Sequence, residues 1–198
     1  TNGVRCARLN SGSVLQGFTL RDGSGARNTA TVTDYKNGGA VRGAGSTSST
    51  VLDCVISNAC ANVAAVDAAT VIRCRFVDNH TRVCLLSDAP AYSSTFTGNE
   101  LVEDGSYNYF NSTSPLRNCT FAGNVKRNGA LPGTAHNSIF VDIQIVSGTE
   151  GGANNWAWNI GTGTPSAAAY TVQDPKLADV AEGDLRLGET SPCIGAID

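Results

Sequence analysis

The sequence contains no methionine, three lysines (Lys36, Lys126 and Lys176) and two histidines, and only 16% of its 198 residues are charged. A typical domain carries about 25% charge. With a formal net charge of −3, it has no basic stripe to neutralise phosphates, which argues against nucleic acid as a partner. No apolar run approaches the roughly 18 residues of a membrane span. The helix formers Leu, Glu and Lys are scarce. No Cys-x-x-Cys pair and no Cys/His cluster has zinc spacing. Gly, at 22 residues, is abundant, as are Ser, Thr, Asn and Ala, the composition of short strands and tight turns. The apolar share of 41% suffices for one packed core, and a domain of this length buries roughly 70% of its unfolded surface. Seven cysteines are many for a cytosolic enzyme and favour an oxidising, exported compartment. The odd number leaves at least one thiol unpaired or paired outside the chain. The chain starts at Thr1 without a signal peptide, and reads as a mature product or a piece of a longer exported protein.

One phrase recurs. "CRFVDN" at Cys74–Asn79 is followed by "STFTGN" at Ser94–Asn99 and "CTFAGN" at Cys119–Asn124, 20 and then 25 residues on. Aligned on the central position, the rows are "LQGFTLRDG" (Phe18), "LDCVISNA" (Ile56), "IRCRFVDN" (Phe76), "YSSTFTGN" (Phe96), "RNCTFAGN" (Phe121) and "HNSIFVDI" (Phe140). The longer first gap holds an insertion at about 21–37. A second strand is expected after each phrase: "GGAVRG", "VAAVDA", "RVCLLSD", "YNYFNS" and "GALPGT". The opening "VRCARLNSG" reads as the same strand of a rung already begun. A period of about 20–25 residues with several short strands marks a solenoid, whose repeats bury a core only by stacking. The Leu lattice of leucine-rich repeats is absent, which leaves a parallel β-helix. Alternation turns Cys74 and Phe76 inward and Arg75 outward.

Asn79, Asn99 and Asn124 then occupy one place in successive rungs, where strand gives way to turn. Asn tolerates left-handed backbone, and stacked amides form ladders. This competes with N-glycosylation at Asn79-His-Thr81, one of three Asn-x-Ser/Thr patterns with Asn111-Ser-Thr113 and Asn118-Cys-Thr120. Cys54, Cys74 and Cys119 share another register, with Ser94 in the missing place. Neighbours about 4.8 Å apart allow either a disulfide or a stack of buried thiols, and the thiol stack is the preferred expectation.

The motifs "GGAV" (Gly38–Val41), "FVDN", "FTGN" and "FAGN" resemble the GGA[ILV] and FxxN repeats of polymorphic outer-membrane protein adhesins. The whole chain resembles bacterial right-handed parallel β-helix repeat proteins of the pectin-lyase-like superfamily. The tail "DPKLADVAEGDLRLGETSPCIGAID", Asp174–Asp198, is the most specific part, and departs from the family's close at Gly195. The resemblance implies an all-β, right-handed, single-stranded parallel β-helix of about six to seven rungs with a C-terminal cap. Residues 1–145 would form the rungs, and 146–198 an irregular loop with both Trp residues plus the capping segment. Asp174, Asp179, Asp184 and Arg186 are expected to lock that cap.

Lyases of this superfamily need a cation held by carboxylates and an Arg or Lys base; hydrolases need paired carboxylates. The candidates are Arg75, with Asp53 and Arg73, on the outward column; Asp67 and Asp88 on second strands; and Glu100, Glu103 and Asp104 as an acidic loop able to hold calcium. Tyr107 and Tyr109 are candidate sugar-stacking rings, with Tyr35, Phe110, Trp156 and Trp158 behind them. The expectation is a non-catalytic extracellular or cell-surface module for adhesion or for glycan or protein binding, with no cofactor other than possible calcium. A structural stalk or filament unit, and a polysaccharide lyase or hydrolase, stand as alternatives.

Overall fold

The computed structural model describes residues 4–25, 38–45, 48–101, 115–126, 135–142, 152–159 and 170–196. These residues are all-β, and no helix among them is long and apolar enough to cross a membrane. Strands of two to four residues stack into four parallel sheets, the arrangement of a parallel β-helix, beside one antiparallel hairpin. One turn of the chain runs through four faces. Val66–Asp67 lies on the first, Thr70–Ile72 on the second, Arg75–Val77 on the third and His80–Thr81 on the fourth; Leu86–Ser87 returns to the first. The expected second strands at Val41–Arg42, Val66–Asp67 and Leu86–Ser87 form the first face, joined by the opening strand Ala7–Arg8. "YNYFNS" and "GALPGT" lie outside the described residues.

Beneath the 20-residue period runs a shorter one. Buried positions recur as pairs at 54 and 56, 59 and 61, 64 and 66, 69 and 71, then 74 and 76, through 99 and 101. Each face therefore takes five residues, two of them inward. The inward central column of the third face reads Leu20, Ile56, Phe76, Phe96, Phe121, Phe140 and Ala157. Its rings stack at 4.7, 4.4 and 4.9 Å between centroids, a face-to-face geometry that the strand spacing imposes. Tyr170 closes the stack edge-on to Phe140 at 5.9 Å. Phe18 is not part of it: Leu20 takes that place, and Phe18, two residues earlier, is 56% exposed. The aromatic ring misled the alignment, because the first rung is aliphatic at this position.

The corners explain the rest of the phrase. Between third and fourth faces the backbone is left-handed at Asp22, Asn58, Asp78, Gly98, Gly123, Asp142 and Asn159, residue types that accept positive φ. Asn79, Asn99 and Asn124 come one residue later than the left-handed position expected of them. They point inward and are buried. Asn79 Nδ2 donates to Asn99 Oδ1 at 2.8 Å, and Asn99 Nδ2 to Asn124 Oδ1 at 2.8 Å. Each carboxamide oxygen also takes a corner amide from the rung before: Ala59 N–H to Asn79, Asn79 N–H to Asn99 and Asn99 N–H to Asn124, at 2.9, 3.1 and 3.0 Å. A fully buried Asn79 leaves no room for a glycan there.

The column between second and third faces follows the same rule. Its left-handed residues are Asp53, Arg73, Ser93, Asn118, Asn137 and Asn154, and its inward residues are Cys54, Cys74, Ser94, Cys119, Ser138 and Asn155. Cys54 N–H reaches Cys74 Sγ at 3.5 Å, Cys74 N–H reaches Ser94 Oγ at 3.0 Å and Cys119 N–H reaches Ser138 Oγ at 3.2 Å. All seven cysteines are free thiols. Burial pushes Cys74 up to about 12 and Cys119 up to about 11.

Asn99→Ala orphans the buried Asn79 amide and removes the bond from Asn99 Nδ2 to the Phe76 carbonyl, and should cost on the order of 3 kcal/mol. Cys74→Ser keeps an acceptor and should stay within about 1 kcal/mol of the native protein, whereas Cys74→Ala should lose about 1–3 kcal/mol. Urea midpoints at unchanged slope measure all three.

Candidate functional site

The third face has the longest described sheet, eight strands, and its outward columns form a continuous flank. The first column runs Val55, Arg75, Thr95, Thr120, Ile139, Trp156 and Thr171. Four rung steps separate Arg75 from Trp156, or about 19 Å at normal strand spacing. Trp158 stands in the next column, 42% exposed. Both Trp residues thus sit on the strand Asn155–Trp158 and not on the irregular loop expected for them.

At the Arg75 end the flank meets the C-terminal hairpin, Leu177–Asp179 against Asp184–Leu187. Residues 183–186 return beside Arg73, Arg75, Ser93 and Thr95 and enclose with them a cleft of about 470 Å³. The tail acids order this hairpin locally: Asp174 accepts the Lys176 amide, and Asp179 the Glu182 amide. The segment expected to cap the solenoid therefore brings its hairpin against the flank in mid-stack.

Two of the three arginines in the cleft are already matched. Arg73 donates through Nε and Nη2 to Asp53 at 2.7 and 2.9 Å, and Gln16 adds a bond to the same carboxylate at 3.1 Å. Those bonds hold the Asp53 carboxyl below its usual range. Arg186 donates to Asp184 at 2.8 and 2.6 Å and brings that carboxyl down to about 2. The Arg75 guanidinium has no hydrogen bond or ion pair among the described residues, and the residue is exposed. Three cations against two anions leave one positive charge, carried by the fork of Arg75 and flanked by the hydroxyls of Ser93 and Thr95. A guanidinium in that state suits a carboxylate or sulfate, which it can hold through two bonds.

The other candidates fall elsewhere. Glu100 lies on the fourth face and accepts from His80 Nδ1 at 3.1 Å, away from Arg75. Glu103, Asp104, Tyr107 and Tyr109, with Tyr35 and Phe110, lie outside the described residues. Among the described residues no group of three or more His, Cys, Asp and Glu side chains is placed to hold a metal ion. Asp67 is buried at 3% exposure against Arg42 at 3.7 Å. Asp88 does not share its register: Ser87 pairs with Asp67, and Asp88 is the left-handed corner that follows. Ser93, Thr95, Asp184 and Arg186 were not singled out as one site. The Asp53–Arg73 pairing was visible as a 20-residue separation, and the Asp184–Arg186 pairing as two same-side residues of a short strand. The approach of the hairpin to the flank has no local signal. Comparison with protein-family models, with curated proteins and with solved structures found no match.

The Asp184–Arg186 pair makes the hairpin pH-dependent in one direction. A carboxyl with a depressed folded pKa contributes in full above its ordinary value of 3.8 and loses that contribution as pH falls through about 2. Amide exchange protection across 184–187 should hold from neutral pH down to about pH 4 and fall below it. Asp184→Asn should show no such step.

Proposed function

We propose that the chain is a non-catalytic binding module of an exported bacterial protein, displayed at the cell surface or outside the cell, that grips an acidic glycan along its third face. The observation that carries this reading is the unmatched Arg75 guanidinium in a cleft between two self-neutralised Arg–Asp pairs. The threonines below it and the Trp156 and Trp158 rings at the far end fit an extended chain of sugars, charge at one end and ring stacking at the other. On this reading the solenoid is a right-handed parallel β-helix of about six to seven rungs, of the pectin-lyase-like kind with adhesin-like repeats. Its C-terminal segment serves partly as a lip to the cleft.

The test is affinity chromatography on immobilised uronate-rich, sulfated and neutral glycans, with and without calcium, while unsaturated products and new reducing ends are assayed. Retention on an acidic glycan without product is expected. Arg75→Gln should weaken it by about tenfold, the value of one charge-assisted bidentate contact. Product formation would instead establish a lyase or hydrolase. Loss of retention on all glycans would leave a structural stalk, which the exposed Val14 (59%) and Phe18 (56%) beside the edge strands Val14–Gln16 and Thr19–Arg21 favour.

A further inference from the structure

The fourth face carries a line of side chains that glycan binding does not use. Cys60, His80 and Glu100 pair in register across three adjacent strands. They point outward, while Ala61, Thr81 and Leu101 fill the inside. Cys60 and His80 are exposed, and Glu100 is partly so. Neighbouring strands lie about 4.8 Å apart, so His80 has Cys60 on one side and Glu100 on the other. His80 Nδ1 meets Glu100 Oε2 at 3.1 Å. A ring whose Nδ1–H is held by a carboxylate keeps Nε2 as its basic nitrogen. The line is stiff from below. Asn79 and Asn99, which precede His80 and Glu100, belong to the buried amide ladder. The backbone amides of Cys60, His80 and Glu100 donate to Gly23, Ala59 and Asn79 at 2.9, 2.8 and 2.8 Å.

We propose that Cys60 is a reactive surface thiol that exchanges with a disulfide of a partner molecule, with His80 taking its proton and Glu100 positioning the imidazole. The Cys60 proton passes to His80 Nε2, and the thiolate attacks one sulfur of the partner's disulfide. A new S–S bond forms to Cys60 as the partner's S–S bond breaks. The departing sulfur leaves as a thiolate and takes the proton back from the imidazolium, so one thiol and one disulfide stand on each side. The other charged groups near the line are Asp78 and Arg82 on the His80 rung and Asp22 beyond Asn58. Asp22 accepts from Asn58, and Arg82 donates to Asn62 at 3.2 Å. None of the remaining thiols has this setting. Cys54, Cys74, Cys84 and Cys119 are buried. Cys6 is exposed, but partial burial, with Asp22 nearby, pushes its thiol up, and burial does the same to the half-buried Cys193 of the C-terminal segment. Thiol exchange at Cys60 does not depend on what the third face binds.

The experiment is labelling of the native chain with a limiting amount of a small aromatic disulfide, 5,5′-dithiobis(2-nitrobenzoate), followed by peptide mapping. Near pH 7, Cys60 should react about tenfold faster than Cys6, a comparison that needs no variant. His80→Ala should remove that excess, and free imidazole in the buffer should restore it. Glu100→Gln should lower the rate and Glu100→Asp should retain most of it. All forms should converge near pH 9.5, where a thiol ionises unaided. Equal labelling of Cys60 and Cys6, a His80→Ala rate equal to native, no rescue by imidazole, or a Glu100→Gln rate equal to native overturns the proposal.

Discussion

A strand of two or three residues makes too few ladder bonds to stand alone, and every corner between such strands withdraws a backbone amide from the ladder. A buried amide without a partner costs about as much as a good hydrogen bond contributes. The solenoid meets this constraint with one device. At two of the four corners a left-handed residue turns the chain, and the residue after it points a short polar side chain inward as an acceptor. That acceptor takes the corner amide of the rung before. Asparagine, serine and cysteine all fit, because each places an oxygen or sulfur close to its own backbone. The asparagines add a second bond along the stack, from Nδ2 to the next carboxamide. The buried Cys74 thiol is a hydrogen-bond acceptor of the fold, and a disulfide from Cys74 to Cys54 would engage the sulfur that the corner amide reaches.

Once the corners fix the register, sequence separations of about one rung become distances of one strand spacing, about 4.8 Å. Arg73 lies on Asp53, Arg82 on Asn62, and His80 on Glu100, each 20 residues apart. A solenoid therefore builds sites as columns, and the chemistry of a column is set by three or four residues that never meet in the sequence. Arg75 stands out because its column gives it Val55 and Thr95 as neighbours, neither of them charged. The Cys60–His80–Glu100 line follows from the same rule on another face.

The solenoid was legible in the sequence because the phenylalanines stack and the asparagines recur. The five-residue period was not, although it governs every face. Its inward positions are filled by Ala, Val, Cys, Ser and Thr, as at 59, 66, 74, 81 and 94, small residues that alternation alone cannot tell from surface. Phe18 drew the first rung out of register because a large ring looks like core, while an edge rung has no neighbour to bury it. The left-handed corner was misplaced by one residue, since Asn suits both a left-handed turn and an inward acceptor, and only the glycines at 98 and 123 and the aspartates at 22 and 78 separate the two roles. Arg75 was visible as an outward residue. The cleft around it was not, because it depends on a hairpin about 110 residues away whose approach leaves no periodic trace.

The spacing of the rungs also bears on the glycan binding proposed for the third face. Successive third-face strands begin 20, 20, 25, 19 and then 16 residues apart from Val55 to Asn155. The extra and missing residues fall between the fourth face and the second, after Leu101, Lys126 and Asp142. Among the described residues the first and fourth faces hold four strands each, and the second and third hold seven and eight. A length change tolerated on one side of a stack leaves the opposite side in register. The third face keeps uniform spacing from Arg75 to Trp158, as the second face does beside it, and a regular polymer needs such a surface. Among the described residues the fourth face runs in register from Cys60 to Lys126, long enough for a three-residue site such as Cys60, His80 and Glu100.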